Sequence, residues 1–334
     1  MKRGLSALLV VGLVCCGMGL GLSAAPLKIG ICKIVAHEAL DAVEQGVIDA
    51  LTAAGYERDV DVEYLLANAQ GDFGTAVAIA QDYQTRGVDL VVAIATPTAM
   101  AAVQVFRGTS TPVIYAAITD PVFIGLVPSA TDPSTNQNVT GVSDMIPVAA
   151  HLQLLRDVGP GITRVGMVYN PGEANSAILT AMAQAAAASI GVSILTAAAD
   201  SSANVQMAAQ SLVGRVDAFY VTTDNTVVSA LGAVLAASEE AAVPLLVADP
   251  SSLAHATLVH GFDYYQHGLM VGAVVLRVLL GERPDTIPVT YQSGAQIQLN
   301  LDQAAQIGLV FPAAVIEQAS VISYGGTSWE RKSL

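Results

Sequence analysis

The chain contains one α/β unit twice, and few folds accommodate that. Residues 88–121 read VDLVVAIATPTAMAAVQVFRGTSTPVIYAAITDP, where one apolar run ends in Thr96-Pro97-Thr98 and the next ends in Thr119-Asp120-Pro121. About 130 residues later, residues 216–250 repeat the plan as VDAFYVTTDNTVVSALGAVLAASEEAAVPLLVADP. There the runs end in Thr222-Thr223-Asp224-Asn225-Thr226 and in Ala248-Asp249-Pro250. Upstream of the copies, KIGI at 28–31 is matched by RVGM at 164–167. Short apolar runs alternating with helical segments mark buried parallel strands joined by crossover helices. Two similar α/β lobes are therefore expected to face each other, with polar residues at the strands' carboxyl ends lining the gap.

The length, 334 residues, gives each half enough chain for its own core. A formal charge of −14 argues against nucleic acid, which needs a cationic face. Lys2 and Arg3 precede an apolar stretch over residues 5–22, and Ser23-Ala24-Ala25 supplies small residues after it. This layout predicts a signal peptide over residues 1–25, with a retained membrane anchor as the alternative. Cys15 and Cys16 raise lipidation, although neither follows the small residue that a lipobox usually carries. Removal of the signal leaves Cys32 alone, so no intramolecular disulfide is expected.

Taken in order, the pattern predicts strands at 28–34, 60–66, 90–94 and 113–117 and helices at 39–54 and 73–86. Residues 127–140, rich in Pro, Ser, Thr, Asn and Asp, read as a surface crossing between lobes, followed by a hinge strand at 139–143. The second lobe opens with a helix at 147–158 and a strand at 164–169. A loop at 170–176 and an Ala-rich helix at 177–190 come next. A later helix starting at Asp263-Tyr264-Tyr265 should pack back on the first lobe, and a last strand lies at 297–301. The predicted division is residues 26–144 plus 263–287 in one lobe and 145–262 plus 288–334 in the other.

Strand ends that run into helices collect hydroxyls and free N–H groups, which suits a carboxylate. Thr96-Pro97-Thr98 and Thr223-Asp224-Asn225-Thr226 have this form, and each also reads as ordinary helix capping. Asp120, Glu173, Asp224 and Asp249 lie at strand ends or facing loops, where each caps a turn or pairs with a ligand ammonium. Asp224 and Glu173 are the leading candidates for the ammonium. Asn170, Asn175 and Ser176 add neutral donors and acceptors, and His37 lies in a loop that reaches the gap. Tyr264 and Tyr265 are candidates to wall a flat ligand. The spacing of His255, His260 and His267 gives no metal site, and no nucleophile-elbow, Walker or dinucleotide motif stands in suitable context. No catalytic residue, metal or cofactor is expected. Two-lobed racemases that use one cysteine from each half are excluded by the lone Cys32.

The segments IGICKIVAHEALDAVEQGVIDAL, NAQGD, VAIATPTA, AAITDP, NVTGVSDM, VGMVYNPGEANS, AAQSLVGRVDAFYVTTDNTVVSA and GFDYYQHG resemble the tryptophan/tyrosine-type (TrpX-like) branch of the ABC-transporter substrate-binding proteins. The match runs over residues 28–312. It implies a type I periplasmic-binding-protein fold, two Rossmann-like lobes joined by three crossings, closing on an aromatic amino acid. The cleft positions it implies are His37, Thr96, Thr98, Thr119, Asp120, Asn170, Glu173, Asn175, Ser176, Thr223, Asp224, Asn225 and Asp263. It also implies an extracytoplasmic monomer that delivers its ligand to a membrane permease of the ABC type. The chain departs from the usual form at Ala39 and around residues 249–260. A receptor-docking sensor and a two-lobed enzyme remain the other readings.

Overall fold

Apolar runs too short for helices have to pair, and here they pair in two sheets. The computed structural model describes residues 25–331; the expected signal peptide, with Cys15 and Cys16, lies outside the described residues, apart from Ala25. The first sheet is built from β1 (Leu27–Lys33), β2 (Val62–Asn68), β3 (Leu90–Ile94), β4 (Val113–Ile118) and β5 (Val139–Ser143). Helices α1 (Glu38–Ala53), α2 (Phe73–Arg86) and α3 (Thr96–Phe106) connect them. The strands run parallel in the order β2-β1-β3-β4-β5. Every residue of β3 and β4 is buried, as continuous apolar runs covered on both faces require. The local signals for α2 set its bounds. Asp72 accepts the Thr75 N–H at 2.6 Å to cap its start, and Gly87, at φ +64°, ends it in the left-handed conformation.

Residues 127–140 do not cross between the lobes. They lead from β4 to β5 within the first sheet, with Leu126 and Val127 buried against its core. Asn138 ties the segment down by donating to the carbonyls of Phe106 and Thr111. Turn-forming composition marks a loop but carries no information about its destination. The first crossing comes after β5, at residues 144–147.

The second lobe repeats the first. It comprises α4 (Val148–Val158), β6 (Arg164–Tyr169), α5 (Ala174–Ser189), β7 (Ser193–Ala198) and α6 (Val205–Gln210). β8 (Ala218–Val221), α7 (Asn225–Val228), α8 (Leu231–Ala241), β9 (Leu245–Val247) and β10 (Leu258–Gly261) complete the repeat. Its parallel order, β7-β6-β8-β9-β10, is that of the first sheet. After the second crossing, α9 (Tyr264–Leu279) packs on α1 in the first lobe, as its apolar pattern predicts. The two helices touch backbone to backbone. A Cβ on Gly268 would stand 2.3 Å from the Val43 carbonyl oxygen.

β11 (Thr290–Tyr291) then pairs with β5 at the edge of the first sheet. The expected boundary at 287/288 would put these two residues in the other lobe; backbone pairing holds them in the first. The third crossing, residues 292–295, leads to β12 (Gln296–Asn300), antiparallel to β10. α10 (Leu301–Gln306), α11 (Ala313–Gln318), β13 (Val321–Tyr324) and β14 (Thr327–Glu330) finish the second lobe. The hairpin of β13 and β14 carries no clear alternation in sequence and was not anticipated.

Candidate ligand-binding cleft

Both sheets point their carboxyl ends at the space between the lobes. On the second lobe's rim, β6 ends just before Asn170, and β8 ends three residues before Asp224. Asp224 is the N-cap of α7 and accepts the Val227 N–H at 2.9 Å. Its other oxygen accepts the Asn170 N–H and the Ser176 hydroxyl, both at 2.6 Å. The side chain is fully buried, and burial, with the nearby Glu173 charge second, pushes its carboxyl up to about 7. Glu173 is equally occupied. One oxygen accepts the N–H and hydroxyl of Thr226 at 2.9 and 2.6 Å, and the other accepts the side-chain amides of Asn225 and Asn175. Asn170 in turn donates to the Thr226 hydroxyl. The residues expected at this rim do meet, but Asp224, Glu173, Asn170 and Ser176 spend their polar atoms on one another.

The first lobe's rim is built differently. His37 is the N-cap residue of α1, yet its side chain makes no capping bond, so the first N–H groups of this 16-residue helix have no side-chain partner of their own. Its Nε2 lies 3.5 Å from Asn225 Oδ1, a contact from lobe to lobe. Burial holds the imidazole below its ordinary titration range, opposed by the Asp249 carboxylate. Two non-glycine residues at strand ends here have left-handed backbones: Ala95 at φ +79° after β3, and Ala117 at φ +53° in β4. The β4–β5 register shifts between Tyr115 and Ile118, across the second of them. Strain of this kind persists where surrounding structure enforces it, and it gathers at ligand sites.

Several expected residues point elsewhere. The Thr98 hydroxyl donates back to the Ile94 and Ala95 carbonyls of its own turn. Thr96 is buried in the first turn of α3, and its neighbours Pro97 and Met100 border the outer cleft in its place. Asp120 caps a turn by accepting the Val122 and Phe123 N–H groups. Asp263 caps α9 by accepting the Gln266 N–H, and its side chain is exposed. For Thr98, Asp120 and Asp263 a nearby N–H or carbonyl offers a shorter path than the cleft.

The inner gap contains about 370 Å³ free of protein atoms, part of it open to solvent. His37, Thr119, Asn175, Thr223, Asp224 and Asn225 border it, as expected. So do Leu40, Ala117, Asp144, Val228, Asp249 and Tyr264. Asp249 is saturated, accepting from the Ser251 N–H and from the hydroxyls of Ser251 and Ser252. Asp144 was missed altogether. Its position directly after the buried strand β5, ahead of a crossing, was the available signal. Four buried polar atoms at this gap have no hydrogen-bond partner: His37 Nδ1, Asp144 Oδ1, Asn175 Oδ1 and Thr223 Oγ1. Buried polar atoms are nearly always paired, so four orphans around one space mark where another molecule's polar atoms belong.

Residues 28–322 match the family model described as ABC transporter substrate binding protein. The chain belongs to this family. A curated relative, the tyrosine-binding protein of Clostridioides difficile, is 34% identical over 82% of this chain and 79% of its own. The structure titled as an ABC domain in complex with L-Trp from Streptococcus pneumonia overlays with a TM-score of 0.84 at 29% identity, covering 89% of this chain and all of that one. A ligand-free, open substrate-binding protein from Clostridium difficile is 31% identical over 89% of this chain and 99% of its own, but overlays at only 0.66. At nearly equal sequence distance, this chain overlays the L-Trp complex better than the ligand-free, open protein, and its own two lobes touch. In this substrate-binding protein they stand drawn together, as the contact between His37 and Asn225 requires.

Proposed function

We propose that this substrate-binding protein captures an aromatic amino acid outside the cytoplasm and passes it, unchanged, to an ABC permease in the membrane. The observation that carries the reading is the set of four unpartnered buried atoms around one gap between duplicated lobes. A zwitterion answers that set. Its ammonium suits the open acceptors, and its carboxylate suits the Thr223 hydroxyl and the uncapped start of α1. Leu40, Val228 and Tyr264 give the same gap apolar walls for a ring. A tyrosine-binding relative and a relative in complex with L-Trp support the aromatic class.

Ligand contacts from both rims stabilise the closed arrangement over the open one, so binding and hinge closure are one equilibrium. Micromolar capture needs about −8 kcal/mol. One desolvated charge pair and one buried ring reach that scale. Export through the signal peptide, action as a monomer and absence of catalysis belong to the same proposal.

A thermal-shift panel of L-tryptophan, L-tyrosine, L-phenylalanine, L-leucine, L-glutamate and a hexose tests it. At about 100 times Kd, a true ligand adds roughly 2.7 kcal/mol and several degrees. If none of the aromatic amino acids moves the transition, while native mass spectrometry finds a co-purified compound lacking an amino group, the reading is wrong.

A further inference from the structure

We infer that Asp144, at the first crossing, receives the ligand's ammonium group, and that the acids of the second lobe's rim do not. The inference rests on the amino-acid reading above and names the charge-bearing seat within it.

Four carboxylates border or adjoin the inner gap, and their hydrogen bonds separate them. Asp224 accepts three donors, Glu173 accepts from Thr226, Asn225 and Asn175, and Asp249 accepts from Ser251 and Ser252. Each has its oxygens hydrogen-bonded by its own lobe. Asp144 accepts a single bond, from the Tyr264 hydroxyl to Oδ2 at 2.8 Å, and Oδ1 has none. The residue is 3% exposed. Burial pushes this carboxyl above the ordinary range; the nearby His267 imidazole and the Tyr264 hydroxyl act in the other direction. Among the described residues, no lysine or arginine borders the gap. A buried carboxylate with an empty oxygen and no cation costs free energy unless a cation arrives. An α-ammonium supplies the charge and the missing donor together. Asn175 Oδ1, another open acceptor, offers it a second bond from the opposite lobe.

The seat is also placed where binding reports to the hinge. Asp144 belongs to the first crossing and holds its backbone N–H to the Ile118 carbonyl. Tyr264, its partner, starts the helix after the second crossing. One turn on, His267 Nε2 accepts the N–H of Ala117, and its Nδ1 meets Gln292 of the third crossing at 2.7 Å. A charge seated on Asp144 thus meets the first crossing directly and the second through Tyr264, and His267 ties the same helix to the third.

The test compares L-tryptophan with indole-3-propionate, which lacks the amine, by calorimetry on the full chain and on Asp144→Asn. The asparagine keeps an acceptor for Tyr264 but removes the charge. The wild type should prefer L-tryptophan by about 100-fold or more, and D144N should lose most of that preference. Ligand-free D144N should also melt no lower than the wild type, because an unpaired buried charge has gone. A variant that keeps the preference, or melts several degrees lower with both ligands weakened alike, overturns the assignment. Tyr264→Phe gives a second route: it should weaken L-tryptophan several-fold and indole-3-propionate little, and equal weakening counts against the seat. If the wild type binds L-tryptophan but D144N discriminates as before, only this inference falls. If the wild type binds no aromatic amino acid, the functional reading falls with it.

Discussion

The two lobes share a strand order, yet their rims treat polar atoms in opposite ways. On the second lobe, Asp224 and Glu173 are buried acids whose every oxygen is occupied by neighbours. On the first lobe and the crossings, Asp144 is buried and His37 half-buried, and each leaves a buried atom open. Asn175 and Thr223 are the second lobe's own exceptions. The difference teaches that an acid at a strand end does not by itself indicate a ligand contact. The closed network of the second rim fixes the shape of α7 and the loop before α5. The open atoms opposite are where a guest has something to do.

The sharpest way to break this comparison is Asp224→Asn. An amide presents one acceptor and two donors to three existing donors, so the substitution should cost about 2–4 kcal/mol in urea unfolding. Unchanged stability with lost binding would mean that Asp224 faces the ligand after all. A pH series probes the same residue. The folded carboxyl titrates near 7, against roughly 3.9 in an unfolded chain. Between those values the folded state holds a proton that the unfolded state lacks, so stability falls as pH rises through the window. The expected loss from about pH 5 to pH 8 is roughly 2–3 kcal/mol, and the slope should flatten in D224N.

Thr223→Val sharpens the contrast from the open side. Its hydroxyl has no partner among the described residues, so stability should stay within about 0.5 kcal/mol while affinity drops about tenfold. Calorimetry and thermal melts on one preparation give both numbers. The smallest effect belongs to Thr98→Val. That hydroxyl serves its own helix, so the change should cost at most about 1 kcal/mol and leave ligand affinity unaltered. A tenfold loss of affinity there would restore the strand-end reading of Thr96-Pro97-Thr98.

Much of the fold was legible. The apolar runs at β3 and β4, the bounds of α2 and the return of α9 to the first lobe all follow from periodicity and caps. What failed was the destination of turns. Residues 127–140 looked like a bridge because their composition is turn-rich, and β11, only two residues long, was too short to register. The site was half legible. His37, Asn175, Thr223, Asp224 and Asn225 border the gap as expected, but Asp120 and Asp263 are spent on local caps.

Sequence by itself determined that the chain holds two copies of one α/β unit, that their polar strand ends meet, and that the chain resembles the substrate-binding proteins of ABC transporters. Those features are local or repetitive, and a linear pattern carries them. Only the tertiary structure decided which polar atoms were left over. Whether an oxygen is satisfied depends on donors far along the chain, as with Ser176 beside Asp224 or Tyr264 beside Asp144, 48 and 120 positions apart. Hydrogen-bond saturation is a property of the packed neighbourhood, and no single stretch of sequence contains that neighbourhood.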